Sequence, residues 1–131
     1  MIKKKILDPD RVRRIQGGFS FIPHKFLRDG FLDALEPREI LLYFFLVLAS
    51  DRNGLSFYSY DSICSLLQIT ADEYIDARNA LIKKDLIAFD GTLFQVLDLP
   101  LKPVRLSTAK SDPTTIAQMI RQSLKEADSG D

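Results

Sequence analysis

The sequence contains few of the residue types that build metal centres and nucleophilic sites. Its 131 residues include one cysteine, Cys64, and one histidine, His24. A single cysteine cannot form a disulfide within the chain, and it favours a reducing, cytoplasmic location. His24 has no cysteine or carboxylate cluster around it at metal-ligand spacing, so we predict a histidine at the surface or at a helix start. We therefore expect no metal, no cofactor and no enzymatic activity.

Long hydrophobic runs are also absent, although 46% of the residues are hydrophobic. The longest run, Ile40 to Ala49, spans ten residues, whereas a membrane-spanning helix needs about 20. This run predicts a buried core helix and no membrane partner. The first residues, MIKKKIL, carry the charge of an export signal, but DPDRVRR follows them in place of an apolar segment. Gly17-Gly18 lacks the residues of a phosphate-binding loop, so we predict a hinge and no small-molecule substrate.

The chain has no net charge, because 18 basic residues balance 18 acidic ones. This balance hides a strong segregation along the chain. Residues 1–28 carry eight basic and two acidic side chains, a net charge of +6, and residues 29–99 carry five and twelve, a net charge of −7. The sequence therefore predicts a flexible basic arm over residues 1–18. Such an arm either contacts phosphates or serves only to keep the chain solvated.

The first long helix is predicted just before the middle of the chain. Pro37 suits a first helical position, and Glu39 lies near the positive end of the helix dipole. These signals predict a helix over residues 37–50. Asn53-Gly54 supplies left-handed residues after its end, and LSFY at residues 55–58 predicts a brief strand.

Two further helices are predicted, separated by a tight connection. Ser59 can cap a helix that ends near Leu67. Thr70 and Glu73 then form a capping-box pattern, in which each side chain satisfies the backbone of the other, and this pattern begins a helix ending near Lys84. Two helices joined so closely are typical of a helix-turn-helix.

A hairpin follows the second of these helices. Two apolar runs, at residues 86–89 and 93–97, flank Asp90-Gly91, and this dipeptide between apolar runs is a strong hairpin signal. After Pro100 the periodicity disappears until an apolar stripe returns with helical spacing. The rest of the chain is therefore divided into a linker at 100–112, an amphipathic helix at 113–127 and a disordered tail at 128–131.

The element order over residues 35–99 resembles the winged helix-turn-helix domains of bacterial transcription regulators and replication-initiation proteins. The most specific parts are TADEYIDARNALIKKDLI and AFDGTLFQVL. The resemblance implies a mainly α fold with a small β-hairpin wing (α+β), in which a winged-helix domain at residues 19–99 carries an N-terminal arm and an additional C-terminal helix. It also implies non-enzymatic DNA binding, in transcription regulation or as a replication or mobile-element accessory factor.

The helix over residues 70–84 would enter the major groove in such a domain. The core positions of the family fall on Tyr74, Ala77, Leu81, Leu86 and Ile87. The helical period then turns the following residues outward: Ala71, Asp72, Ile75, Asp76 and Asn79. Two of these are carboxylates and none is a cation, so this face lacks the usual phosphate contacts. Asn79 can pair with adenine and Asp76 can accept from cytosine, whereas Lys83 lies in the last turn, where it complements the helix dipole.

The basic arm supplies the positive charge that this helix lacks. Its candidate phosphate contacts are Lys3, Lys4, Lys5, Arg11, Arg13 and Arg14. Six such contacts would make the affinity fall steeply with salt, with a slope of about −0.9 per contact. The hypothesis is that the arm grips the backbone of double-stranded DNA while the helix over residues 70–84 reads a few bases, with Asp76, Asn79 and Lys83 as its candidate contacts.

The alternative is a protein–protein interaction module that uses the same scaffold and does not bind DNA. The helix over residues 37–50 is apolar all round, whereas a helix that covers one side of a small domain should have a polar stripe. Its far side is covered either by other parts of the chain or by a second chain across a two-fold axis. We expect a homodimer, with these candidate interface residues: Tyr43, Phe44, Val47, Ile116, Met119, Ile120 and Leu124.

Overall fold

The computed structural model describes residues 2–106, in which four α-helices and a small antiparallel sheet form an α+β fold. The predicted helix over residues 113–127, with Ile116, Met119, Ile120 and Leu124, lies outside the described residues. A short 3-10 helix at Pro9–Arg11 precedes the other elements. These are, in chain order, α1 (Lys25–Arg28), α2 (Pro37–Ala49), β1 (Leu55–Ser56), α3 (Tyr60–Leu67), α4 (Ala71–Lys83), β2 (Ile87–Phe89) and β3 (Phe94–Val96).

Helix α2 runs through the centre of the fold and confirms the first predicted helix. Pro37 occupies its first turn, and Glu39 Oε1 accepts a hydrogen bond from the Glu36 N–H at 3.2 Å. The helix ends at Ala49, where Ser50 Oγ donates to the Val47 carbonyl at 2.8 Å. Between residues 2 and 106 no helix combines the length and the apolar character needed to cross a membrane.

Helices α3 and α4 follow one another closely, as the sequence predicts. Gln68 ends α3 in a left-handed conformation with φ 57°, which reverses the chain within three residues. The capping box at the start of α4 is confirmed. Thr70 Oγ1 accepts from the Glu73 N–H at 3.0 Å, and Glu73 Oε1 accepts from the Thr70 N–H at 2.9 Å.

The predicted hairpin is confirmed as β2 and β3, and β1 pairs with the other side of β3 to give the strand order β1-β3-β2. The two-stranded wing expected from the sequence is therefore part of a three-stranded sheet. Gly54 makes the close approach of β1 and β3 possible. Its φ is +83°, its carbonyl accepts from the Val96 N–H at 2.8 Å, and a Cβ there would lie 2.6 Å from the Val96 oxygen.

The core joins α2, α4 and the sheet. All five core residues that the family resemblance implies are buried: Tyr74, Ala77, Leu81, Leu86 and Ile87. The short segment around α1 closes one side, because the Phe26 ring stacks on Tyr43 with centroids 5.0 Å apart and an interplanar angle of 4°. Asp85, two residues after the end of α4, has a left-handed φ of 63° although it is not a glycine.

A buried ion pair also ties α4 to α2. Lys84 follows the last residue of α4, and its Nζ lies 2.5 Å from Glu39 Oε1 and donates to the Ala34 carbonyl at 2.8 Å. Its side chain is therefore directed into the fold rather than held beside the end of α4. Lys83, one residue earlier, is exposed.

Candidate binding site between helix α4 and the hairpin

The outward face of α4 carries the residues that its period predicts. Ala71, Asp72, Ile75, Asp76 and Asn79 are all exposed, while Tyr74, Ala77 and Leu81 on the opposite face are buried. This outcome follows from the placement of three core residues on one helical stripe. The face that could meet a partner is therefore apolar and acidic at its start, and Lys83 adds an exposed cation at its end.

A groove of about 570 Å³ lies between this face and the β2–β3 hairpin. The segment that links β1 to α3 forms its third side, so three separate parts of the chain meet there. Most of the lining is aromatic or apolar. The lining residues are Phe57, Tyr58, Ser59, Tyr60, Ala71, Tyr74, Ile75, Arg78, Phe89, Gly91 and Thr92.

Two aromatic side chains of the groove are largely exposed. Phe57 is 64% exposed and Tyr60 is 54% exposed. Others are fixed by ring contacts within the chain: Tyr58 meets Phe45 edge-on with centroids 5.1 Å apart, and Phe89 stacks on Phe94 at 4.3 Å. The groove therefore combines rings held by contacts within the chain with two largely exposed rings, of which Tyr60 also stacks on Tyr74 with centroids 6.4 Å apart. This arrangement is suited to an apolar or cationic ligand.

Arg78 is the cation in the lining, and its guanidinium already contacts two aromatic rings and an amide oxygen of the same chain. Its guanidinium lies 5.4 Å from the Tyr74 ring centroid and 5.2 Å from that of Phe89. It also donates to Asn79 Oδ1 from Nε at 3.3 Å and from Nη2 at 3.2 Å. Because bidentate pairing with adenine uses both the oxygen and the nitrogen of an asparagine amide, Asn79 would have to release Arg78 to read a base.

Four exposed carboxylates each directly follow a lining residue in the chain, and we refer to them as the rim of the groove: Asp61, Asp72, Asp76 and Asp90. Among residues 2–106, none of them forms a salt bridge. Asp90 Oδ1 accepts from the N–H groups of Leu93 at 2.7 Å and Thr92 at 2.8 Å, and these bonds hold the pKa of its carboxyl below the usual value. With Arg78 as the one cation of the lining, the groove and its rim carry a net charge of −3.

The candidate phosphate contacts of the arm are all exposed: Lys3, Lys4, Lys5, Arg11, Arg13 and Arg14. Within the described part of the chain, the arm makes no salt bridge, and its hydrogen bonds stay local, such as the Asp10 N–H to Asp8 Oδ1 at 3.1 Å. These cations therefore remain available for a partner. They are not part of the groove.

The candidate dimer residues of α2 differ in their exposure. Tyr43 and Val47 are buried in the core, whereas Phe44 is 38% exposed. Burial within one chain already accounts for Tyr43 and Val47. An interface on α2 would have to use Phe44 with the exposed Leu41 and Leu48, which lie on the same side of the helix.

The described residues contain no group of side chains suited to a metal ion. No group of three or more histidine, cysteine or acidic side chains between residues 2 and 106 could hold a metal ion. Cys64 is partly buried and donates from Sγ to the Thr70 carbonyl at 3.7 Å. Burial, and then the nearby Asp61, raise the pKa of its thiol, which reduces its reactivity.

The helical period predicts the outward face of α4, whereas no sequence pattern predicts the groove beside it. Phe57 and Tyr60 belong to a segment that reads as a strand followed by a helix cap, so their rings were not counted as a surface. One signal was present, because FYSY places three aromatic side chains within four residues where few core positions remain. No protein-family model matches this chain, and neither the curated proteins nor the solved structures contain a significant match.

Proposed function

We propose that the protein is a non-enzymatic winged-helix protein that binds double-stranded DNA. The observation that carries this proposal is the position of the hairpin: α4 residues Ala71 and Ile75 line the same groove as Gly91 and Thr92 of the hairpin turn. A helix-turn-helix whose exposed second helix is flanked by a hairpin is the arrangement with which winged-helix proteins enter a major groove.

In this proposal the basic arm makes the phosphate contacts. Asp72 and Asp76 lie on the exposed face of α4 and Asp90 lies in the hairpin turn, so α4 and the hairpin repel phosphates at close range. The arm carries six exposed cations within fifteen residues of the amino terminus and can extend along a backbone. In this account the arm supplies affinity, while Asp76, Asn79 and Lys83 contribute a small amount of base reading.

The test is a fluorescence-anisotropy titration of a random duplex at low and high salt. We expect the triple substitution Arg11→Gln, Arg13→Gln and Arg14→Gln to weaken binding at low salt by about tenfold or more and to reduce the salt slope by about 2.7. The matched control removes three cations from the body, with Lys25→Gln, Arg52→Gln and Lys102→Gln, and should have a smaller effect. Binding that is independent of salt, or unchanged by deletion of residues 1–16, contradicts the proposal.

The second candidate is a protein-interaction module that has the same fold and does not bind DNA. The aromatic groove favours it, because Phe57, Tyr60 and Ile75 form an exposed apolar surface that phosphates would not cover. Absence of duplex binding at low salt, together with a defined association state of the protein, would favour this candidate over the first.

A further inference from the structure

We infer that the groove between α4 and the hairpin binds the basic arm of a second copy of this chain, so that two copies exchange arms. The inference does not depend on DNA binding. It follows from the match between two surfaces that the described structure leaves uncovered: an apolar, acidic groove, and an apolar, basic arm.

The arm contains more apolar side chains than a solvating tail requires. Five aliphatic residues are interspersed among its cations, and each is at least half exposed in the single chain. They are Ile2, Ile6, Leu7, Val12 and Ile15. A segment that served only to hold charge in solution would gain nothing from them, whereas a segment that docks on an aromatic surface gains from each one it buries.

The groove offers matching chemistry. Its largely exposed rings, Phe57 and Tyr60, and the partly exposed Ile75 can receive aliphatic side chains. Lysine and arginine side chains can lie over the same rings, because an aromatic face attracts a cation. The ligand class that fits is therefore a peptide in which aliphatic and cationic residues are interspersed, as they are in the arm.

The charges are also complementary. Residues 2–18 carry six cations and two carboxylates, a net charge of +4. The rim carries four aspartates against Arg78, a net charge of −3, and none of the four aspartates is neutralised by an ion pair within residues 2–106. Opposite net charges on two exposed apolar surfaces favour their encounter and fix their orientation.

The occupant is the arm of another copy rather than the chain's own arm. In the single chain the arm is exposed along its whole length and its own groove stays open. Exchange between two copies makes the same contact twice about a two-fold axis, so both grooves and both arms are covered in a closed assembly. The second contact then forms within the complex, which strengthens the pair beyond a single arm in a groove.

The first experiment measures mass by light scattering and sedimentation velocity up to about 100 μM. We expect the intact chain to dimerise, and we expect the double substitution Phe57→Ala and Tyr60→Ala to raise the dimer dissociation constant by about tenfold or more. Leu48→Ala is the matched control, because it removes an exposed apolar side chain of α2 outside the groove and should leave the dimer intact. An intact chain that stays monomeric over this range overturns the inference.

A charge exchange tests the pairing directly. We expect a weaker dimer from each of two double variants, one with Arg13→Glu and Arg14→Glu and the other with Asp72→Lys and Asp76→Lys. The four changes together should restore it, since the signs are again opposite. Circular dichroism melts confirm that each variant is folded. If the dimer of the fourfold variant is no tighter than the dimer of the weaker double variant, the arm does not contact this rim.

Mixing experiments identify which chain provides the arm. A chain lacking residues 2–16 keeps its whole core, because every deleted side chain is exposed. Mixed with the Phe57→Ala, Tyr60→Ala chain, it should form a heterodimer through one intact groove and one intact arm. A synthetic peptide of residues 2–16 should shift the amide signals of the groove in the arm-deleted chain. A dimer that persists without the arm, or peptide shifts located elsewhere, overturns the inference and points to α2 or to residues 107–131 as the interface.

Discussion

Lys84 and Glu39 form a buried ion pair that connects the end of α4 to the first turn of α2. The Lys84 Nζ and Glu39 Oε1 atoms are 2.5 Å apart, and both side chains are at least nine-tenths buried. Two more hydrogen bonds complete the pair, one from Nζ to the Ala34 carbonyl and one from the Glu36 N–H to Glu39 Oε1. Charges removed from water this far are tolerated because each has its partner.

Removal of one partner should therefore be costly. We expect Lys84→Met to lower the free energy of unfolding by about 3–5 kcal/mol, because the carboxylate of Glu39 would stay buried without its cation. Urea denaturation measures this change, and Glu39→Leu added to Lys84→Met should recover most of the loss. Arg38→Gln is the control, since the Arg38–Glu73 salt bridge is largely exposed and should contribute less than about 1 kcal/mol. Equal effects of the two single substitutions would contradict this account.

Two glycines with positive φ give a comparison of steric fit. Alanine at Gly54 would place its Cβ 2.6 Å from the Val96 oxygen, whereas alanine at Gly91, with φ +101°, would meet no atom within 4 Å. We expect Gly91→Ala to cost about 1–2 kcal/mol from backbone strain alone. Gly54→Ala should cost more, by about 1–3 kcal/mol, because β1 and β3 must also separate. Thermal unfolding of the two variants checks the order, and a reversal would exclude the close approach of these strands.

The buried hydroxyl of Tyr43 makes stability sensitive to alkaline pH. Burial raises the pKa of Tyr43 from 10.0 to about 12. The unfolded chain therefore loses this proton at lower pH than the folded chain does, so the stabilising effect is complete below pH 10 and is lost as the pH rises towards 12. We expect Tyr43→Phe to unfold like the intact chain at pH 8 and to be more stable by about 2 kcal/mol near pH 12.

Denaturant melts across this pH range measure the difference between the two proteins. Tyr58→Phe is the control, because Tyr58 is 40% exposed and its hydroxyl is not enclosed by the core. The same alkaline loss in the intact chain and in Tyr43→Phe would show that another group controls the transition.

Local signals predicted most of the fold, and contacts between distant residues account for what they missed. The capping box of Thr70 and the hairpin at Asp90-Gly91 depend on neighbours within a few positions, so the sequence displays them directly. The Lys84–Glu39 pair joins residues 45 positions apart, and no local pattern marks it. The groove was missed for the same reason. Its lining comes from three segments, and the exposure of Phe57 becomes evident only once they are assembled.

The sequence predicts where the residues of α4 lie on the helix, but it does not predict whether their polar atoms are free to bind a partner. Helical periodicity alone placed Asn79 on the outward face. Its hydrogen bonds with Arg78, and the placement of Arg78 over the Tyr74 and Phe89 rings, depend on the hairpin that packs beside α4. The spacing of residues shows which face of a helix a side chain occupies. Whether that side chain is free to form hydrogen bonds depends on the elements that pack beside the helix.

If the arm binds both DNA and the groove of a second copy, the two partners compete for the same cations. Phe57→Ala with Tyr60→Ala would then release the arm and leave all six of its cations in place. We expect this variant to bind a random duplex about two- to tenfold more tightly than the intact chain, because a larger fraction of the arms is free. Anisotropy titration at a protein concentration above the dimer dissociation constant measures the gain.

The gain in DNA affinity should appear only above the dimer dissociation constant. Below the dimer dissociation constant the arms are already free, so the variant and the intact chain should bind the duplex equally, and Leu48→Ala should match the intact chain throughout. A gain that remains at high dilution would mean that the two rings repel DNA by themselves. No gain at any concentration, in a protein whose dimer has been shown to need the arm, would mean that DNA contacts residues other than the arm, and the phosphate contacts would then have to be sought among the cations of the body.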